Sequence, residues 1–216
     1  MALFADRRAA GRELAAALER WRGTDAVILG IPRGGVVVAA EVARSLDLEL
    51  DAVVVRKLGA SGHEEFAVGA IADGVTLVTP ESVRWAGMSA RDLDDVEASE
   101  RAELARRMDA FGSRLTDLSG RVAIVVDDGV ATGASAVVAC RAVRARAPDR
   151  VVLAVPVAPE RWEAPADAVD EFVCPHRERD FWAVGQYYDA FPQTADEEVI
   201  ALLAAGSEDS ATDGDR

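Results

Sequence analysis

Five consecutive apolar residues, Val122 to Val126, run without interruption into two carboxylates, Asp127 and Asp128. A strand with no polar alternation has to be covered on both faces, which is the condition of a parallel sheet flanked by helices. The rest of the chain keeps the same alternation of short apolar strands and amphipathic helices. Ala26–Gly30, Asp51–Val55, Val151–Val155 and Phe172–Cys174 read as further strands. Phe4–Arg22 and Val36–Leu46 read as helices, and another starts near Ala134. Ala67–Ala72 and Val75–Thr79 flank Asp73-Gly74, a hairpin signal. Ser89, with Asp92 three residues later, predicts the N-cap of a long charged helix reaching about Leu115, read as a solvated arm rather than a dimer contact or part of a hood. The expectation is an α/β fold, a doubly wound and mostly parallel sheet forming one domain over residues 1–205. Residues 206–216, polar and acidic, are expected to be a disordered tail.

Charge narrows the function classes. The formal net charge is −14, from 38 acidic and 24 basic side chains, which argues against nucleic acid or an anionic membrane as partner. Lys57 is the single lysine, so the remaining basic residues are arginine. Acid excess with so little lysine is frequent in salt-loving organisms, although arginine-favouring codon usage with an acidic tail gives the same composition. Cys140 and Cys174 stand far apart in no metal-type spacing, as expected for reduced thiols in a cytoplasmic protein. Neither a signal peptide nor an apolar run long enough to span a bilayer is read.

The chemistry concentrates where the central strand ends. A parallel strand delivers its carboxyl end to the crevice in which α/β sheets bind ligands. After Asp127 and Asp128 comes a loop of small residues, Gly129, Val130, Ala131, Thr132, Gly133 and Ala134, then Ser135 at the start of a helix. Without bulky side chains, backbone amides at a helix N-terminus can close around a phosphate. Thr132 and Ser135 add hydroxyl donors, and two adjacent carboxylates suit the vicinal hydroxyls of a sugar. An ordinary strand-to-helix turn is the alternative.

This segment, VAIVVDDGVATGAS, resembles the signature of the type I phosphoribosyltransferases. The resemblance extends over roughly residues 25 to 195 and is nearest to stand-alone phosphoribosyltransferase-like proteins carrying RKLGA-x-GHEE and VGQYY stretches. It departs from the usual pattern at Val130, where Thr or Ser is commoner. It implies the type I fold, with small hood elements near residues 1–22 and 172–195. It also implies that Asp127 and Asp128 act on the ribose hydroxyls and residues 129 to 135 on the 5-phosphate.

Three further stretches follow from that resemblance. Ile31, Pro32, Arg33, Gly34 and Gly35, after the first strand, would hold pyrophosphate through a strained loop and the Arg33 cation, although alone they read as a turn into a helix. Neither a dinucleotide fingerprint nor a Walker loop occurs in the sequence. Arg56 and Lys57 would place cations at the leaving group, opening a mobile loop that contains His63, Glu64 and Glu65. His63 is a candidate acid or base, or simply a solvated loop histidine. In FWAVGQYYD, Trp182 takes the base-stacking position and Asp189 lies near the metal, although such aromatics also serve as core caps.

The implied activity is Mg2+-dependent transfer of 5-phosphoribosyl between pyrophosphate and a nitrogenous base. The ion would meet Asp127, Asp128 and Asp189 mostly indirectly, and a homodimer in nucleotide salvage is the implied setting. A non-catalytic sensor of phosphoribosyl pyrophosphate or nucleotide is the alternative, and a phosphate-releasing hydrolase a third reading. The acceptor is not legible in the sequence.

Overall fold

The computed structural model describes residues 2–60, 63–113 and 117–212, with residues 63–66 and 207–212 described by backbone only. Helix α1 (Arg7–Ala17) leads into β1 (Val27–Gly30), α2 (Gly34–Leu46) and β2 (Glu49–Ala52). Then come β3 (Val55–Ala60), β4 (His63–Ala72), β5 (Val75–Val78), α3 (Pro80–Trp85) and α4 (Ala90–Phe111). The central strand β6 (Val122–Val126) precedes α5 (Ala134–Arg144), β7 (Arg150–Ala154) and β8 (Val157–Pro159). Strands β9 (Glu171–Val173) and β10 (His176–Glu178) and helix α6 (Asp196–Thr212) complete the order.

Five strands form an all-parallel sheet in the order β2-β1-β6-β7-β9. Side chains alternate across it because the strand period is two. Ile28, Ile124, Val126, Val152 and Ala154 pack with Leu14 of α1 and Val38 and Val42 of α2. Val27, Leu29, Ala123, Val125, Val151 and Leu153 pack on the other face with Ala139, Cys140 and Val143 of α5. The sheet is therefore doubly wound, as the apolar run of β6 requires. Among the described residues no helix is long and apolar enough to cross a membrane.

Several elements differ from the sequence expectation. The side chain of Asp6 accepts from the amide of Ala9 at 2.8 Å and starts α1 there, so Phe4 stays outside the helix and pairs with Tyr188. Residues 56–60 are strand rather than loop, because β3, β4 and β5 build a separate antiparallel sheet. Helix α4 begins at the expected capping box of Ser89 and Asp92 but is not a solvated arm. It buries Leu104 and Phe111, with Leu93, Val96 and Met108 packed against the same core. Helix α6 was not foreseen and runs to Thr212, where a disordered tail from residue 206 was expected; residues 213–216 lie outside the described ones.

Helices α1 and α2 pack closely around one buried acid. A Cβ at Gly11 would stand 2.7 Å from the Glu41 Cβ, so only glycine permits this approach. The Glu41 side chain is 5% exposed and takes ion pairs from Arg8 at 3.2 Å, Arg12 at 3.7 Å and Arg44. Removing the carboxylate in Glu41→Ala leaves three guanidinium groups that water can still reach, so the loss is that of a charged hydrogen-bond cluster. The expected cost is about 1–3 kcal/mol, seen as a lower urea midpoint at unchanged m-value. An unchanged midpoint would show that the cluster does not tie α1 to α2.

Candidate active site

The carboxyl ends of β1 and β6 meet at one crevice. The amide of Ile31 donates to the carbonyl of Val126 at 2.8 Å, so the turn after β1 is sewn to the end of β6. Helix α2 then starts at Gly34 and Gly35, directly beside the acids. A Cβ at Gly35 would lie 2.8 Å from the Val126 carbonyl oxygen and 2.9 Å from the Asp127 Cα. At Gly34 it would overlap Asp128 Oδ2 and stand 2.7 Å from Arg7 Nε. These two glycines bring the IPRGG turn against the acid pair. The peptide between Pro32 and Arg33 is cis.

The two carboxylates are held differently. Asp127 Oδ1 accepts the amide of Asp128 at 2.9 Å, within its own turn. Asp128 Oδ2 accepts from Arg7 Nε at 2.7 Å, and the Asp128 carbonyl accepts the Tyr188 hydroxyl at 2.6 Å. Burial, reinforced by the charge of Asp128, pushes Asp127 well above the ordinary carboxylate value, while Arg7 and Lys57 pull the other way. Burial also raises Asp128, opposed first by its hydrogen bond from Arg7. Tyr188 is raised too, chiefly by burial and then by Asp128. Paired acids in such a setting are what a functional crevice produces.

The loop from Gly129 to Gly133 is shaped by close packing. A Cβ at Gly129 would meet Val184 at 2.6 Å, and the amide of Val130 donates to the Val157 carbonyl at 3.1 Å. Gly133 has φ +82°, the left-handed region that glycine tolerates, and the Trp162 indole lies against it. Trp162 Nε1 donates to the Thr132 carbonyl at 3.2 Å, so this ring braces the loop from outside. The first turn of α5 has no side-chain cap, leaving its amides to a ligand or to water. Ala134 and Ser135 lie in that turn.

The other expected residues are distributed unevenly. The charge of Lys57 lowers Asp127, while its neighbour Arg56 pairs with Glu100 of α4 at 2.7 Å. Arg33 lies 3.7 Å from Asp196 at the start of α6. Trp182 is 89% exposed, and Asp189 is exposed with its amide bonded to the Phe4 carbonyl. His63, Glu64 and Glu65 fall in β4, and their side chains lie outside the described residues, as do residues 61 and 62 of the expected mobile loop. Sequence reasoning missed Arg7, Trp162 and Phe191, and within FWAVGQYYD it singled out Trp182 and Asp189 rather than Val184 and Tyr188, which reach the crevice. Among the described residues no group of three or more His, Cys, Asp or Glu forms a metal cluster.

Residues 5–191 match the profile of the phosphoribosyl transferase domain. The chain belongs to the phosphoribosyl transferase family. Two Mycobacterium tuberculosis proteins, from strains H37Rv and CDC 1551 and both named as phosphoribosyl transferases, are each 47% identical to it over 99% of its length. The chain spans about half the length of these relatives, 49% of each. The crystal structure of TT1426 from Thermus thermophilus shares 43% identity at a TM-score of 0.76, covering 95% of this chain and 99% of that one. A Neisseria gonorrhoeae protein crystallised with ppGpp shares the fold at 17% identity and TM-score 0.50, covering 93% of this chain and 92% of its own. The doubly wound sheet of this phosphoribosyl transferase family member is thus the family's fold.

Proposed function

We propose that this family member catalyses Mg2+-dependent transfer of a 5-phosphoribosyl group between pyrophosphate and a nitrogenous base, working as a cytoplasmic homodimer. One observation carries the reading: the acid pair, the uncapped α5 turn and the IPRGG turn converge on one sheet end. Asp127 and Asp128 would accept hydrogen bonds from the ribose hydroxyls, and residues 129–135 would surround its 5-phosphate. Residues 31–35 would receive the diphosphate. Lys57, whose charge lowers Asp127, would face the leaving group with Arg56, which pairs with Glu100 at 2.7 Å in the ligand-free chain.

In the reaction, the bond from ribosyl C1 to the pyrophosphate oxygen breaks, and its electron pair leaves with the diphosphate. A ring nitrogen of the acceptor forms the new bond to C1 and releases its proton to solvent. Charge grows on the leaving group only as this bond breaks, so a cation there favours the transition state over the ground state. One such contact contributes about 2–4 kcal/mol, by analogy with the loss of a single oxyanion donor. The donor set fits Mg2+, because two adjacent carboxylates, with no larger His, Cys, Asp or Glu cluster among the described residues, suit an ion held chiefly by diphosphate oxygens. Bound there, the ion would neutralise leaving-group charge, with Asp127 and Asp128 contacting it mostly through water.

The decisive experiment incubates the protein with Mg2+, phosphoribosyl pyrophosphate and a panel of purine and pyrimidine bases, and measures pyrophosphate release. Base-dependent release is expected. Donor binding without turnover across the panel would instead establish a sensor, and phosphate release without acceptor a hydrolase.

A further inference from the structure

The crevice contains a residue that belongs to none of its strand-end turns. Arg7 opens α1, 121 positions before the acid it touches. Its Nε donates to Asp128 Oδ2 at 2.7 Å and its Nη1 to the Pro192 carbonyl at 2.7 Å. Its guanidinium carbon lies 3.7 Å from the centroid of the Phe191 ring. With the side chain 11% exposed, the guanidinium is fixed along two edges and one face. Arg7 therefore locks three separate segments together at the point where Asp128 meets the crevice.

The consequence falls on one carboxylate of the pair. Asp127 is oriented by the amide that follows it, so its geometry comes with the β6 turn itself. The hydrogen bond that the Asp128 side chain takes from another side chain runs to Oδ2, from Arg7, its own amide also acts on the carboxyl group, and Tyr188 fixes its main chain. With Oδ2 committed, the other oxygen is the one that can accept from a sugar hydroxyl. A carboxylate pair can span a vicinal diol only when both members are held at a fixed spacing.

We infer that Arg7 is a positioning residue for diol recognition, fixing Asp128 so that the pair grips adjacent hydroxyls of a pentose phosphate. This rests on the proposed reading of the crevice and adds to it a determinant from the amino-terminal helix. It makes selectivity for the intact diol depend on α1, while the phosphate loop works independently of Arg7.

The test measures equilibrium binding of ribose 5-phosphate and of 2,3-dideoxyribose 5-phosphate by the full chain in the presence of Mg2+. The unaltered protein is expected to prefer the ribose compound. Arg7→Gln should weaken ribose 5-phosphate binding by roughly 10- to 100-fold, the usual effect of losing an orienting partner, and leave the dideoxy compound within about twofold. Arg7→Lys keeps the charge without the forked contact and should fall between; it also guards against a fold lost in Arg7→Gln. Equal losses for both ligands, or a preserved preference in both variants, would overturn the inference. Failure of the unaltered protein to bind either ligand would instead overturn the underlying reading, and the inference with it.

Discussion

Replacing Asp127 by asparagine is expected to slow the proposed phosphoribosyl transfer by at least about 100-fold, the effect of removing one preorganised polar contact, and to raise the melting temperature of the ligand-free protein. The rate falls with the lost contact, and the gain in stability has its own cause. The carboxylate is buried beside Asp128, and the folded chain holds its proton more tightly than the unfolded chain does. The unfolded state therefore loses this proton first as pH rises past the ordinary value of 3.8, and above that it binds fewer protons than the native state. Stability then falls with increasing pH, until the raised native value has been passed. The contribution is intact below the ordinary value and lost as pH climbs through the shifted one. Asparagine never ionises, and its carbonyl can still accept the Asp128 amide that Asp127 now accepts at 2.9 Å. About 1 kcal/mol moves the melting temperature by roughly 2–4 °C in a chain of this size, so a rise of a few degrees near pH 7 is the expected reading. The gap between the two proteins should shrink toward pH 4. Thermal melts across pH, run beside a pyrophosphate-release assay, measure both halves. A variant that melts lower than the parent at neutral pH would show that Asp127 does not sit as a destabilising buried charge.

That stability cost is placed at a site the sequence already marked, and the reason is local. Val122–Val126 reads as a central strand because nothing polar interrupts it, and β6 has those bounds. Ser89 and Asp92 mark the start of α4 because both halves of a capping box lie within four residues. Legibility fails where partners are distant. Val53 and Val54 look like strand, yet β2 is the alternating Glu49–Ala52, with buried Leu50 and Ala52 facing the core. Residues 56–60 look like loop because their charge says so, while their hydrogen bonds come from β4. The Arg7–Asp128 pair spans 121 positions and Arg7–Pro192 spans 185, and no local pattern announces either. The acid pair and the small-residue loop after it are thus visible in the sequence, and the distant side chains packed against them are not.

The neighbouring glycines Gly34 and Gly35 should respond differently to the same added methyl group, which makes them a second large-effect test. At Gly35 the new Cβ meets the Val126 carbonyl oxygen at 2.8 Å and the Asp127 Cα at 2.9 Å, both backbone atoms of the central strand and its turn. Neither can move without displacing α2 from the sheet, so Gly35→Ala should cost about 1–3 kcal/mol, as overpacked cores do. At Gly34 the obstacles are the Asp128 carboxylate and Arg7 Nε, side-chain atoms rather than backbone. The fold can absorb that change, but the Arg7–Asp128 hydrogen bond cannot survive it in place. Gly34→Ala is therefore expected to melt within a few degrees of the parent yet lose about 100-fold in catalytic efficiency, the scale of a displacement near 1 Å at reacting groups. Urea unfolding and steady-state kinetics on the two variants separate the outcomes. If Gly34→Ala kept full activity, the acid pair would not need the geometry that Arg7 gives it, and the contact at the start of α2 would be packing alone.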